Sequence, residues 1–80
     1  MLVEINVASL YKGKAKLNQL HEYLERVSAL AGEGNEIVLY GEGPIWLYLK
    51  IAHFLHGKAK KLNYRSPVVN NLVIFDHDPY

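Results

Sequence analysis

Eighty residues, 50% of them hydrophobic and 21% charged, allow one small folded domain over residues 1–80 and exclude a disordered or low-complexity chain. The chain has no cysteine, which removes disulfide staples and thiolate metal sites. A core of this size hides only about 60–65% of the unfolded surface, so self-association into a homo-oligomer is the expected further source of stability. Nine basic and eight acidic residues leave a net charge of +1, too little for a protein that grips duplex DNA or other long nucleic acid mainly through a basic surface, though a compact anionic ligand stays open.

The amino end, Met1-Leu2-Val3-Glu4, lacks the basic and long apolar regions of a signal peptide. The longest apolar stretch, Pro44 to Leu55, is broken by Lys50 and is shorter than the about 20 residues that span a bilayer. A cytoplasmic protein with no membrane partner is the expectation.

Alternation of Leu2, Val3, Ile5 and Val7 with Glu4 and Asn6 predicts a first strand, which Lys12-Gly13-Lys14 ends. Leu17, Leu20, Leu24, Val27 and Ala31 then follow steps of three and four along one side of a helix that Gly32 and Gly34 stop. Glu36 to Tyr40 holds three consecutive apolar residues, the pattern of an inner parallel strand covered on both faces. Pro44 suits the first position of a second helix running to His56. Ile45, Leu49, Ala52 and His56 share one side of that helix, and apolar residues spread round most of the rest, which predicts burial between layers or between subunits. A weakly alternating strand, Lys58 to Tyr64, a turn at Arg65-Ser66-Pro67 and a last strand, Leu72 to Phe75, complete the chain. The order strand, helix, strand, helix, strand, strand predicts a small βαβαββ sandwich of two or three layers on right-handed crossovers, half of a doubly wound domain; a ferredoxin-like arrangement is the competing topology.

A strand that ends in Gly41-Glu42-Gly43-Pro44 and opens straight into a helix has an anion-binding shape: glycine lets a ligand approach the backbone, and the first helical N–H groups favour negative charge. A bare tight turn needs the same glycines, so both readings stand. His53 and His56, three residues apart at the end of the second helix, can hold a divalent metal or move a proton, or can simply cap free carbonyls. His77, between Asp76 and Asp78, would add an imidazole and a carboxylate if the tail folds back rather than fraying. Lys58, Lys60, Lys61 and Arg65 follow the histidines as a basic group that suits a phosphate or an edge strand guarded against aggregation; Lys12, Lys14 and Lys16 join it only if the first loop lies on the same side. Trp46 and Tyr48 open the second helix, and the indole serves either base stacking or core packing.

Gly41-Glu42-Gly43-Pro44-Ile45-Trp46-Leu47 followed by Ala52-His53 and His56 resembles the central motif of a small CRISPR-associated accessory family, the third of the Csx series. The resemblance implies a type III CRISPR context, a compact α/β fold, dimers that stack head to tail, and manganese-dependent ring nuclease action on cyclic tetra-adenylate. It also implies 3′ exonuclease action, which makes short adenylate RNA a second expected ligand. It places Gly41, Gly43 and Pro44 in the ligand loop and His56 in the catalytic site, with His53 beside it. The chain departs from the family pattern at three points. Glu42 stands where a basic residue is usual; in Tyr64-Arg65-Ser66-Pro67, Arg65 takes the place of an aspartate and Pro67 that of an arginine. The chain is also shorter before the first helix.

The expected function is therefore a ring nuclease in which His56 and His53 catalyse or hold Mn2+, while Gly41, Glu42, Gly43, Pro44, Trp46, Lys60 and Arg65 contact the ligand. The alternatives are a non-catalytic sponge or sensor for the same cyclic oligoadenylate and an oligomerising CRISPR accessory protein.

Overall fold

Strand-forming and helix-forming segments alternate as the apolar periodicity requires. The computed structural model describes residues 1–77. Strand β1 (Leu2–Asn6) leads through a 3-10 turn (Val7–Leu10) and a second such turn (Leu17–Gln19) into helix α1 (Leu20–Ala31). Strand β2 (Glu36–Tyr40), helix α2 (Ile45–Leu55) and strands β3 (Lys61–Tyr64) and β4 (Leu72–Asp76) follow. The sheet order is β1-β2-β3-β4, with β1, β2 and β3 parallel and β4 antiparallel to β3.

Two crossovers of the same hand between successive neighbouring strands put both helices on one face of the sheet. The register shows which face. Val3, Ile37 and Leu62 are aligned, as are Ile5 and Leu39, and these side chains meet Val27 of α1 and Leu47, Ile51 and Leu55 of α2 in the core. The result is two layers, the βαβαβ half of a doubly wound domain with a hairpin strand added. The ferredoxin-like alternative is excluded, because both crossovers join adjacent parallel strands.

The other sheet face has no helical cover, yet Val38 on it is only 3% exposed. Glu4 and Asn63 flank it in register. Asn63 Nδ2 donates to Glu36 Oε2 at 2.9 Å, and Arg65 donates to Glu4 Oε2 at 3.0 Å with its guanidinium 4.6 Å from the Tyr40 ring centre. Long polar side chains thus cover the inner strand on its second face.

Four expectations are corrected. The first helix starts at Leu20, after a 3-10 turn, and its buried stripe is Tyr23, Val27 and Ala31, while Leu17 is exposed. The Tyr23 hydroxyl accepts from the Lys16 N–H at 3.0 Å and donates to Gln19 Oε1 at 3.1 Å, so a polar tip that the apolar count passes over anchors the helix start. Pro44 is the cap of α2, with extended ψ of 150°, and the helix begins one residue later. Strand β3 starts only at Lys61: Lys58 N and Ala59 N both return to the Leu55 carbonyl in the turn that ends α2. Lys58 and Lys60 therefore precede the strand rather than forming part of it. Lys58 instead pairs with Glu33 at 2.9 Å. Helix α2 is not enclosed between layers either, since Ile45 is 79% and Leu49 66% exposed.

Candidate functional site

The loop after β2 is held by its neighbours through both glycines. Gly41 has φ of 95°, and a Cβ there would lie 2.0 Å from Asn6 Oδ1; a Cβ on Gly43 would lie 2.7 Å from Val7 Cγ1. Close packing on the end of β1 therefore accounts for the glycines without any ligand. The Gly41 carbonyl accepts from the Tyr48 hydroxyl and the Glu42 carbonyl from the Tyr11 hydroxyl, at 3.2 Å for Tyr11. Among the described residues no side chain caps α2. Leu47 N and Tyr48 N both turn back to the Pro44 carbonyl, so the amides of Ile45 and Trp46 are the ones the helix leaves for another acceptor.

From this loop an open cleft of about 1010 Å³ runs between α2 and the β3–β4 hairpin. Its helix wall is the stripe Ile45, Leu49 and Ala52, and its opposite wall includes Ile74, Pro67 and Ser66. Leu39 and Leu62 of the sheet also line it, together with Tyr48 and Tyr64, whose rings meet edge to face at 5.4 Å. Burial, then the neighbouring Tyr64 and Tyr11 hydroxyls, push the Tyr48 phenol up to about 12, so it stays a neutral donor to the loop carbonyl.

His56 continues the cleft stripe one turn beyond Ala52. Strand β4 returns antiparallel to β3 with Ile74 skipped in the pairing, and His77 N donates to the Lys60 carbonyl at 2.8 Å. That bond brings the His77 ring to His56, with ring centres 4.5 Å apart and planes at 83°, and Phe75 lies 5.2 Å from His56 and 4.7 Å from His77. The fold-back of the tail is thus realised as far as His77; Asp78 lies outside the described residues. The two imidazoles are exposed and both contact the Phe75 ring.

The expected site residues divide into separate groups. Gly41, Glu42 and Gly43 line the cleft, and Pro44 caps the helix beside it. Lys60 joins the histidine end through its backbone bond to His77. From Pro44 to His56 the helix rises about 18 Å, so loop and imidazoles stand at opposite ends of α2. Trp46 packs against the core and does not line the cleft; Tyr48 and Tyr64 offer the aromatic faces in its place. Arg65 borders the cleft, but its guanidinium is held by Glu4 on the uncovered sheet face, where the carboxylate keeps it in its charged form. His53 is exposed and, among the described residues, makes no ring contact with His56. Lys12, Lys14 and Lys16 lie by the Gly41 loop, since Tyr11 ties their segment to Glu42, and so do not join Lys58, Lys60 and Lys61, which stand at the opposite strand ends with the histidines.

Residues 14–80 match the family described as CRISPR-associated protein (Cas_csx3). The chain belongs to that family. No curated protein and no solved structure matches it. Membership in Csx3 bears out the resemblance carried by the loop and the two histidines, and it makes the protein CRISPR-associated. No described helix is long and apolar enough to cross a membrane. The manganese that the resemblance implies finds no three-donor set: among the described residues no three His, Cys, Asp or Glu side chains gather to hold a metal ion.

Proposed function

We propose that this chain binds a cyclic oligoadenylate, cyclic tetra-adenylate in the first instance, along the groove between α2 and the β3–β4 hairpin and cleaves one of its phosphodiester bonds. The observation that carries the reading is the meeting of His56 and His77 one helical turn beyond Ala52, the last α2 residue of the groove wall. Cleavage of an RNA phosphodiester by its own ribose needs one base and one acid. One neutral imidazole of the pair takes the proton of the 2′-hydroxyl, whose oxygen attacks phosphorus. The other, protonated, gives its proton to the departing 5′-oxygen. The products are a 2′,3′-cyclic phosphate and a 5′-hydroxyl, with one proton taken and one returned. The Ile45 and Trp46 amides suit a phosphate, and Tyr48 and Tyr64 suit an adenine face. Exposed Ile45, Leu49, Leu72 and Ile74 favour a second copy over the groove.

Cyclic tetra-adenylate incubated with the purified protein should yield linear product, and His56→Ala and His77→Ala should each slow it by about 10²- to 10⁴-fold. Absence of linear product, with or without added manganese, would overturn the catalytic reading. The second reading, a sponge or sensor that binds without cutting, is favoured by one feature: Arg65 stands at the family's aspartate position and is engaged by Glu4. In that case the ligand binds and both alanine variants keep its affinity within tenfold.

A further inference from the structure

Beside the loop lies a second cleft of about 370 Å³, formed where the first 3-10 turn, the following segment and the start of α1 meet. Lys12, Lys14, Lys16 and Arg26 line it against a single carboxylate, Glu22. Four cations less one anion leave a charge of +3 on one concavity, in a chain whose net charge is +1. Lys14 N donates to the Lys12 carbonyl at 2.8 Å across Gly13, whose φ is 69°, and this turn crowds the lysines together. Arg26 is fixed by a 2.6 Å bond to the Leu10 carbonyl, and Tyr11, bonded to Glu42, fixes the base of the segment.

Four other carboxylates are engaged elsewhere, Glu25 with His21, Glu33 with Lys58, Glu36 with Asn63 and Glu4 with Arg65, and Glu42 lines the larger cleft rather than this one. None of the three lysines is in an ion pair with a described residue. Like charges gathered on a low-dielectric wall repel one another and concentrate the positive field, and an anion with several charges relieves both. The family match begins at residue 14, inside this segment, so Lys12 stands outside the part shared with Csx3.

We propose that this cleft is a second anion site, separate from the groove, which takes a ligand carrying two or more closely spaced phosphates. Such phosphates come from an inorganic polyphosphate or nucleotide tail, or from the backbone of a short single strand. The test titrates isotope-labelled protein at low ionic strength with inorganic tripolyphosphate and, separately, with linear tetra-adenylate, following the amide resonances of residues 11–17. The double variant Lys12→Ala/Lys14→Ala is compared with Lys50→Ala/Lys61→Ala, which removes the same charge elsewhere. A loss of affinity of at least tenfold in the first variant and less than twofold in the second supports the site, and the ligand that shows it identifies the source of the phosphates. Equal losses in the two variants, or binding of neither probe by the unaltered protein, overturns it. His56→Ala should leave tripolyphosphate binding intact, so this result stands apart from whether the groove cleaves a cyclic ligand.

Discussion

Replacing Gly41 by alanine isolates the contact that positions the loop. The new methyl carbon would lie 2.0 Å from Asn6 Oδ1 and 3.5 Å from Val7 N, in a residue with φ of 95°. Holding an L-residue there costs about 1–3 kcal/mol. Pushing Asn6 aside breaks its 3.0 Å bond from the Ala8 N–H, which caps the first 3-10 turn, a further loss of about 0.5–2 kcal/mol. The expected total of about 2–5 kcal/mol compares with about 4–12 kcal/mol for a domain of this size. Urea denaturation followed by circular dichroism measures it, and the melting temperature should fall by at least about 8 °C. Gly57→Ala is the internal standard. Nothing lies within 4 Å of a Cβ there and its φ is not positive, so stability should stay within about 0.5 kcal/mol or rise slightly. In an Asn6→Ala background the clash disappears, and the cost of Gly41→Ala should shrink by about 1 kcal/mol or more. Additive losses, or a Gly41→Ala cost below about 1 kcal/mol, would refute the packing argument and leave the glycines to a ligand.

The other expectations test separate contacts. His53→Ala should leave ring cleavage within a few-fold of the unaltered protein, in contrast to His56→Ala and His77→Ala; product analysis by mass spectrometry decides, and equal losses at all three positions would separate catalysis from the imidazole pair. Tyr48 should ionise late in a spectrophotometric titration, and Tyr48→Phe should remove that late phase. Its folded pKa of about 12 exceeds the unfolded value of 10.0, so the stability linked to it is complete below pH 10 and is lost as pH rises towards 12; Tyr48→Phe should flatten that decline. Tyr23→Phe should cost about 1 kcal/mol in urea denaturation by removing the partner of the Lys16 N–H, and no change would show that water serves that amide equally well.

Local periodicity was enough for the bounds of β2, for the span of α2 within a residue at each end, and for the stripe that places His56 in line with Ile45, Leu49 and Ala52, because each rests on neighbours a few residues apart. The loop motif was legible for the same reason, and with the histidines it carried the family. Tertiary structure decided the rest. His77 reaches His56 only because β4 pairs antiparallel with β3 in a register that skips Ile74. Arg65 turns to Glu4 because successive strand residues face opposite sides of the sheet, and which side the helices cover depends on the crossovers. Tyr23 is buried although its hydroxyl breaks the apolar count, since two partners satisfy it. The first-loop lysines lie beside the Gly41-Glu42-Gly43 turn because one hydrogen bond joins residues 31 positions apart. Contacts of that separation leave no mark on local spacing, and only the folded chain brings them together.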